Sequence, residues 1–181
     1  MSGPGHHIRP AAPADALALA ALGERTFRDT FAADNTPEDL AAHLAATYGP
    51  ARQAEELADA RRTTLVAATD AGELIAFAQL LAGEPPPCVT GPAPVELLRF
   101  YVDRGWHGRG VAQALMAATL EAAAARGAET IWLGVWERNP RAIAFYRKWG
   151  FEDVGSHDFM LGSDRQTDRI LVRPVEAGGP A

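Results

Sequence analysis

Apolar and polar positions follow two periods along this chain of 181 residues, and the switches between them mark out its elements. Asp15 to Phe31 carries Leu17, Ala20, Ala21, Glu24 and Arg28 at helical spacing, with Leu19, Leu22 and Phe27 alongside, and predicts a first helix. Asn35-Thr36-Pro37-Glu38 opens a second, with Thr36 as N-cap and Pro37 at its first position; it ends near Tyr48, where Gly49-Pro50 stops it. A third, short helix covers about Ala51 to Ala60. Ile8-Arg9-Pro10 reads as a first strand, and Thr63 to Thr69 and Glu73 to Leu81 as the arms of a hairpin around Asp70-Ala71-Gly72. Five prolines and two glycines make Gly83 to Pro94 a loop. Strand Val95 to Val102, helix Val111 to Arg126 and strand Thr130 to Trp136 follow. Helix Arg141 to Trp149 has Asn139 as cap, Pro140 at its first position and Gly150 after its end. Phe151 to Gly155 and Gln166 to Val172 read as the last strands. The pattern predicts one α/β domain with a mixed sheet over residues 8–175, between flexible tails at 1–7 and 176–181.

Composition narrows the function. With 48% hydrophobic and 22% charged residues the chain can fill one ordinary core. The net charge of -6 argues against nucleic acid and favours cationic partners. No apolar run approaches the ~20 residues of a membrane span. The first seven residues lack the apolar core of a signal peptide. The single cysteine, Cys88, excludes an internal disulfide and suits a reducing compartment, so the expected location is cytoplasmic. Cys88 lies in the Pro-rich loop without a neighbouring base and is not read as a nucleophile. His6-His7, adjacent in a tail, do not read as metal ligands, and no metal is expected.

The chemistry enters at His107-Gly108-Arg109-Gly110-Val111-Ala112. A strand runs into this glycine-bearing turn and a helix leaves it. Glycines let backbone N–H groups converge, and the helix N-terminus adds partial positive charge, so the turn is an anion site suited to a diphosphate. It is neither a Walker loop, lacking Gly-Lys-Ser/Thr, nor a Rossmann fingerprint, lacking Gly-x-Gly-x-x-Gly. Gly134, inside an apolar strand, marks a close approach by a ligand or another backbone.

The turn resembles the GNAT acetyltransferase signature, Arg/Gln-x-x-Gly-x-Gly/Ala. Gly110 and Ala112 match, and His107 stands where Arg or Gln is usual. A later stretch resembles the family's Asn-x-x-Ala-x-x-Phe-Tyr-x-x-x-Gly-Phe motif, with Asn139, Ala142, Phe145, Tyr146, Gly150 and Phe151 in place. Thr26 to Asp39, Trp132 to Asn139 and Phe159 to Asp168 are further similar to the PaiA-type polyamine acetyltransferases.

This resemblance implies a mixed, mostly antiparallel central sheet flanked by helices, with two splayed parallel strands at its centre. It implies acetyl-CoA as co-substrate, held by Phe100, Tyr101, Val102, His107, Gly108, Arg109, Gly110, Val111, Ala112, Asn139, Ala142 and Tyr146. The expected reaction is direct attack of a primary amine, most simply a polyamine, on the thioester. Tyr146 is then the acid for the leaving thiolate. Glu96 is the candidate base: it precedes Phe100 by four residues, which puts both on one strand face unless a bulge intervenes. Phe27, Asp29, Phe31, Asp34, Glu38 and Trp136 are the candidate amine-binding residues, by charge pairing and cation–π contact. The partner expected is a small-molecule amine, with a homodimer left open. Two alternatives stand beside this reading: acetylation of a protein N-terminus or an amino acid, and a non-catalytic acyl-CoA-binding regulatory module.

Overall fold

Two side-chain caps start helices where the sequence places them. Thr36 Oγ1 accepts from the Asp39 amide at 3.2 Å, and Asn139 Oδ1 accepts from the Ala142 amide at 3.2 Å. The computed structural model describes residues 5–176. In chain order the elements are β1 (His6–Pro10), α1 (Ala16–Phe31), α2 (Pro37–Thr47), α3 (Pro50–Ala58), β2 (Arg62–Thr69), β3 (Leu74–Leu81), β4 (Pro94–Val102), α4 (Val111–Ala125), β5 (Thr130–Trp136), α5 (Pro140–Lys148), β6 (Glu152–Leu161) and β7 (Asp164–Pro174). The strands form one sheet in the order β1-β2-β3-β4-β5-β7-β6, antiparallel throughout except for the parallel pair β4–β5. This is the mixed, mostly antiparallel sheet expected. No described helix is long and apolar enough to cross a membrane.

Two apolar layers hold the sheet between its helices. On one face Val111, Leu115 and Met116 of α4 pack with Leu97, Ile131, Leu133 and Tyr146. On the other, Leu19, Leu22 and Phe27 of α1 and Leu40 and Leu44 of α2 pack against Val66, Phe77 and Trp136. Each buried Leu or Phe contributes roughly 1.5–3 kcal/mol over its exposed state.

The second face also carries a buried polar network under α3. Glu56, only 3% exposed, takes both terminal nitrogens of Arg99. Gln79 accepts from Arg62 at 2.9 Å and from Arg99 at 3.0 Å, and donates to Thr64 at 3.2 Å. Burial works to raise the Glu56 pKa, but Arg99 and Arg62 more than offset it and hold it below its ordinary value.

Three expectations about elements need correction. Strand β1 begins at His6, so His6 and His7 belong to the sheet and not to a tail; the rest of the expected tails, residues 1–4 and 177–181, lies outside the described residues. Strand β6 runs on to Leu161 and β7 starts at Asp164, joined by a tight turn at Gly162 with φ 61°. An edge strand needs no apolar face, so Ser156, His157 and Asp158 read as loop in sequence. Finally, the β3–β4 register steps from Gln79↔Arg99 to Leu80↔Leu97, which leaves Leu98 as a bulge. The bulge reverses alternation: Val95 and Leu97 share a face with Phe100 and Val102, while Glu96 lies with Arg99 and Tyr101 on the other. Glu96 and Phe100 therefore do not share a face.

Candidate active site

Strands β4 and β5 pair only at Pro94↔Thr130, Val95↔Ile131 and Glu96↔Trp132. Beyond Glu96 they part, and the β5-facing edge of β4 is left without a strand partner. A cavity of about 740 Å³ opens from this gap and runs out under α1 and α2. Pantetheine is an amide-bearing arm, and an unpaired strand edge fits it.

At one end lies the anion site. Gly108 and Gly110 both take left-handed φ, 75° and 81°, and Gly110 leads directly into α4. A β-carbon added at either glycine would meet nothing within 4 Å, so the turn is open and the demand on these residues is conformational. Arg109 lies over the Trp106 ring, 5.4 Å from its centroid. Arg104, His107, Ala112, Asn139, Arg141 and Ala142 line the cavity beside it. His107 uses both ring nitrogens: Nδ1 lies 2.9 Å from Arg141 Nη1 and Nε2 2.9 Å from the Val102 carbonyl. Arg141 can only donate, which assigns the proton to Nε2. His107 thus ties Arg141 of α5 to the end of β4. The Val111 side chain is in the core, which leaves only its backbone N–H for the diphosphate expected at this turn.

Phe100, Tyr101, Val102 and Tyr146 line the middle of the cavity. Tyr146 is buried against Phe100, Phe145 and Phe151, with centroids at 6.3, 5.6 and 5.6 Å. Burial pushes its pKa up, so the phenol stays protonated. Glu96 is absent from the lining. Burial raises it to about 7, against the pull of the Arg62 and Arg99 charges.

The far end is aromatic. Phe27 contacts Phe31 at 4.3 Å and stacks on His43 at 4.4 Å; Phe31 meets Trp136 at 5.4 Å, and Phe159 meets His43 edge-on at 5.7 Å. Burial lowers the His43 pKa, with the Arg99 charge acting in the same direction, so His43 is a neutral member of this wall. Asp29 and Asp34 line the cavity, and Asp34 is paired with Arg138 at 3.3 Å. Glu38 is exposed and outside the lining, because α2 turns it to solvent. His43, Tyr48, Arg99, Phe159 and Asp168 also line the cavity, and no local pattern in the sequence marks them for it. Among the described residues no group of three or more His, Cys, Asp or Glu could hold a metal ion.

Comparison with known proteins agrees with this geometry. Residues 25–151 match the acetyltransferase (GNAT) family, a span that holds the last turns of α1, the glycine turn and α5. An uncharacterised N-acetyltransferase of Mycobacterium tuberculosis is 40% identical over 161 residues, covering 89% of this chain and 98% of the relative. Another, from Lactobacillus delbrueckii subsp. lactis, is 32% identical over 155 residues, covering 86% and 89%. Among solved structures, the PaiA N-acetyltransferase of Thermoplasma acidophilum in complex with coenzyme A superposes with a TM-score of 0.77 at 20% identity, covering 94% of this chain and 99% of that one. The splayed strands, the anion turn and the matched span have one common explanation: the chain belongs to the GNAT family of acetyl-CoA-dependent N-acetyltransferases.

Proposed function

We propose that the acetyl acceptor is the primary amine of a small cationic molecule, a polyamine first among them, and that it attacks the thioester directly. One observation carries this reading: the β4/β5 gap opens into a compartment that combines aromatic walls with the carboxylates of Asp29, Asp34 and Asp168. A long cation gains there from ring faces and from several spaced negative charges. Phe27, Phe31, Trp136, Asp29 and Asp34 line this compartment and are proposed to hold the amine; Glu38 lies outside the lining and is given no part.

Acetyl-CoA supplies an activated acyl group, and the chain's own residues orient it and manage protons. A backbone N–H at the free edge of β4 near Phe100 is the proposed donor to the carbonyl oxygen, where negative charge develops; such donors are worth roughly 3 kcal/mol. The Tyr146 phenol donates towards the departing sulfur. Glu96, outside the cavity lining, is not assigned the base.

The test is a turnover screen that reads free thiol release with spermidine, spermine, amino acids and N-terminal peptides. Polyamines should be acetylated with the highest kcat/KM. Selective turnover of amino acids or peptides would move the assignment to the carboxylate-bearing amines. Tight acetyl-CoA binding without thiol release for any amine would leave a binding module.

A further inference from the structure

The cavity holds a carboxylate whose surroundings the amine-binding role does not explain. Of the three lining carboxylates, Asp29 and Asp34 are exposed, whereas the Asp168 side chain is 14% exposed. Asp168 sits on β7 directly opposite Trp136 of β5. Its carboxylate lies in front of Gly134: a β-carbon there would stand 3.2 Å from Oδ2 and 3.4 Å from the Nε2 of His157. The close approach at Gly134 is therefore made by this carboxylate and this imidazole. His157, across from Asp168 on β6, places Nε2 3.8 Å from Oδ2, and its side chain is 41% exposed. A line of groups thus runs from the reaction cavity through a buried carboxylate and an imidazole to solvent.

We propose that Asp168 is the general base of the acetyl transfer and that His157 carries its proton out to solvent. The inference rests on the amine-acetyltransfer reading and gives it the base that Glu96 does not supply. The incoming ammonium gives one N–H proton to the Asp168 carboxylate, which forms an O–H bond. The freed nitrogen lone pair makes the C–N bond to the acetyl carbonyl carbon, and the C–S electron pair leaves on sulfur. Tyr146 gives its phenolic proton to sulfur, and the second N–H proton, lost as the amide forms, goes to the Tyr146 oxygen and restores the phenol. The first passes from Asp168 to His157 Nε2 and then to water, so each turnover returns both groups to their starting state.

The electrostatic setting suits a base. Burial raises the Asp168 pKa, with His157 pulling it the other way. The other groups facing it change little. Strand β5 offers Gly134 and Trp136, which carry no charge. Arg138 is paired with Asp34, Arg99 with Glu56, and the neighbouring Arg169 with Asp153. Asp29 stands exposed on α1.

Steady-state pH profiles of kcat/KM for wild type, Asp168→Asn, His157→Gln and Glu96→Gln test the proposal. Asp168→Asn should lower kcat by roughly 10²–10³-fold, abolish the acidic limb and leave the acetyl-CoA KM within about twofold. His157→Gln should cost about tenfold, recovered by added imidazole, which a merely structural role would not allow. Infrared difference spectra of the protein without ligand give a readout independent of turnover. In the Glu96→Gln background, which removes the other raised carboxyl, a protonated-carboxyl band should titrate above the ordinary aspartate value and vanish when Asp168→Asn is added. The proposal is overturned if Asp168→Asn keeps the wild-type rate and limb, if Glu96→Gln loses the limb instead, or if that band is missing. Should no amine be turned over, the substrate reading falls, and Asp168 stands or falls on the infrared titration alone.

Discussion

The two ends of the cavity are built from different material. Where β4 runs into α4, recognition belongs to backbone: two left-handed glycines, the free amides of a helix N-terminus and an unpaired strand edge, framed by Arg104, His107 and Arg141. Under α1 and α2 it belongs to side chains brought from distant stretches, among them Phe27, His43, Trp136 and Asp168. Backbone geometry is set by residues adjacent in sequence, so the first end is specified by one contiguous segment. The second exists only once α1, α2, β5 and the β6–β7 hairpin have packed. On the proposed assignment, acetyl-CoA takes the backbone end and the acceptor amine the side-chain end. At the side-chain end the electrostatic cost falls on Asp168, whose side chain is 14% exposed, while Asp29 and Asp34 stay in water.

Glu96, outside the cavity but on the sheet face that carries Arg99, gives the largest expected effect and tests what burying a carboxylate costs. Its folded pKa is raised from 4.5 to about 7. For a raised carboxyl the stability contribution is complete below the unfolded pKa and is lost as pH climbs through the folded one. Between about pH 4.5 and 7 the wild type should therefore weaken, by on the order of 3 kcal/mol at pH 8. Glu96→Gln carries no charge to desolvate. Denaturant melts should show it more stable than wild type at pH 8, with most of the gap closed at pH 5. Equal stabilities at both pH values would mean that the carboxylate is not held in a desolvated place.

The contrast between the two ends is also a contrast in what could be read from sequence. The strand–glycine–helix turn and the Asn139-to-Phe151 motif are local, and their caps and positive-φ glycines stand where the residues predict. The bulge at Leu98 is not local: Leu97-Leu98-Arg99 shows no glycine or break, and only the register against Gln79 and Leu80 reveals it. That one extra residue moved Glu96 off the face of Phe100. Likewise Ser156-His157-Asp158 is polar because β6 is an edge strand, so nothing in it announced a strand that would put His157 beside Asp168. Phe27, Phe31 and Trp136 were legible as aromatics. That they share a wall with His43 and Phe159 is a product of packing.

Tyr146→Phe probes the middle, where both ends meet. The substitution keeps the ring in its buried aromatic cluster and removes only the hydroxyl. Maximal rate should fall roughly 10²-fold with acetyl-CoA affinity nearly unchanged, as read by single-turnover kinetics and calorimetry. A parallel loss of affinity would show that the hydroxyl holds ground-state ligand instead.

Gly110→Asp tests whether the turn works through backbone. At φ 81° any side chain is strained, and open space around the site leaves no clash to blame. The aspartate adds negative charge at a helix N-terminus meant for a diphosphate. Acetyl-CoA should bind roughly tenfold more weakly by calorimetry, and Gly110→Ala, with strain but no charge, should lose less. The amine KM should stay put, which keeps the two ends separable.

The smallest effects should come from the carboxylates at the side-chain end, and they discriminate residue by residue. Asp29 lines the cavity but is exposed, so water and salt screen it. Asp29→Asn should raise the amine KM by only about threefold in low salt, with the difference shrinking as ionic strength rises. Asp34→Asn removes a negative charge and also frees Arg138, which lies over Trp136 with its guanidinium 5.4 Å from the ring centroid, so its effect should exceed that of Asp29→Asn. Glu38→Gln, outside the lining, should leave the KM where it was. A KM that responds to Glu38 as strongly as to Asp29 would mean that the amine feels only the net charge of α1 and α2. The carboxylates would then act as a diffuse field, and the aromatic walls alone would set which amine is held.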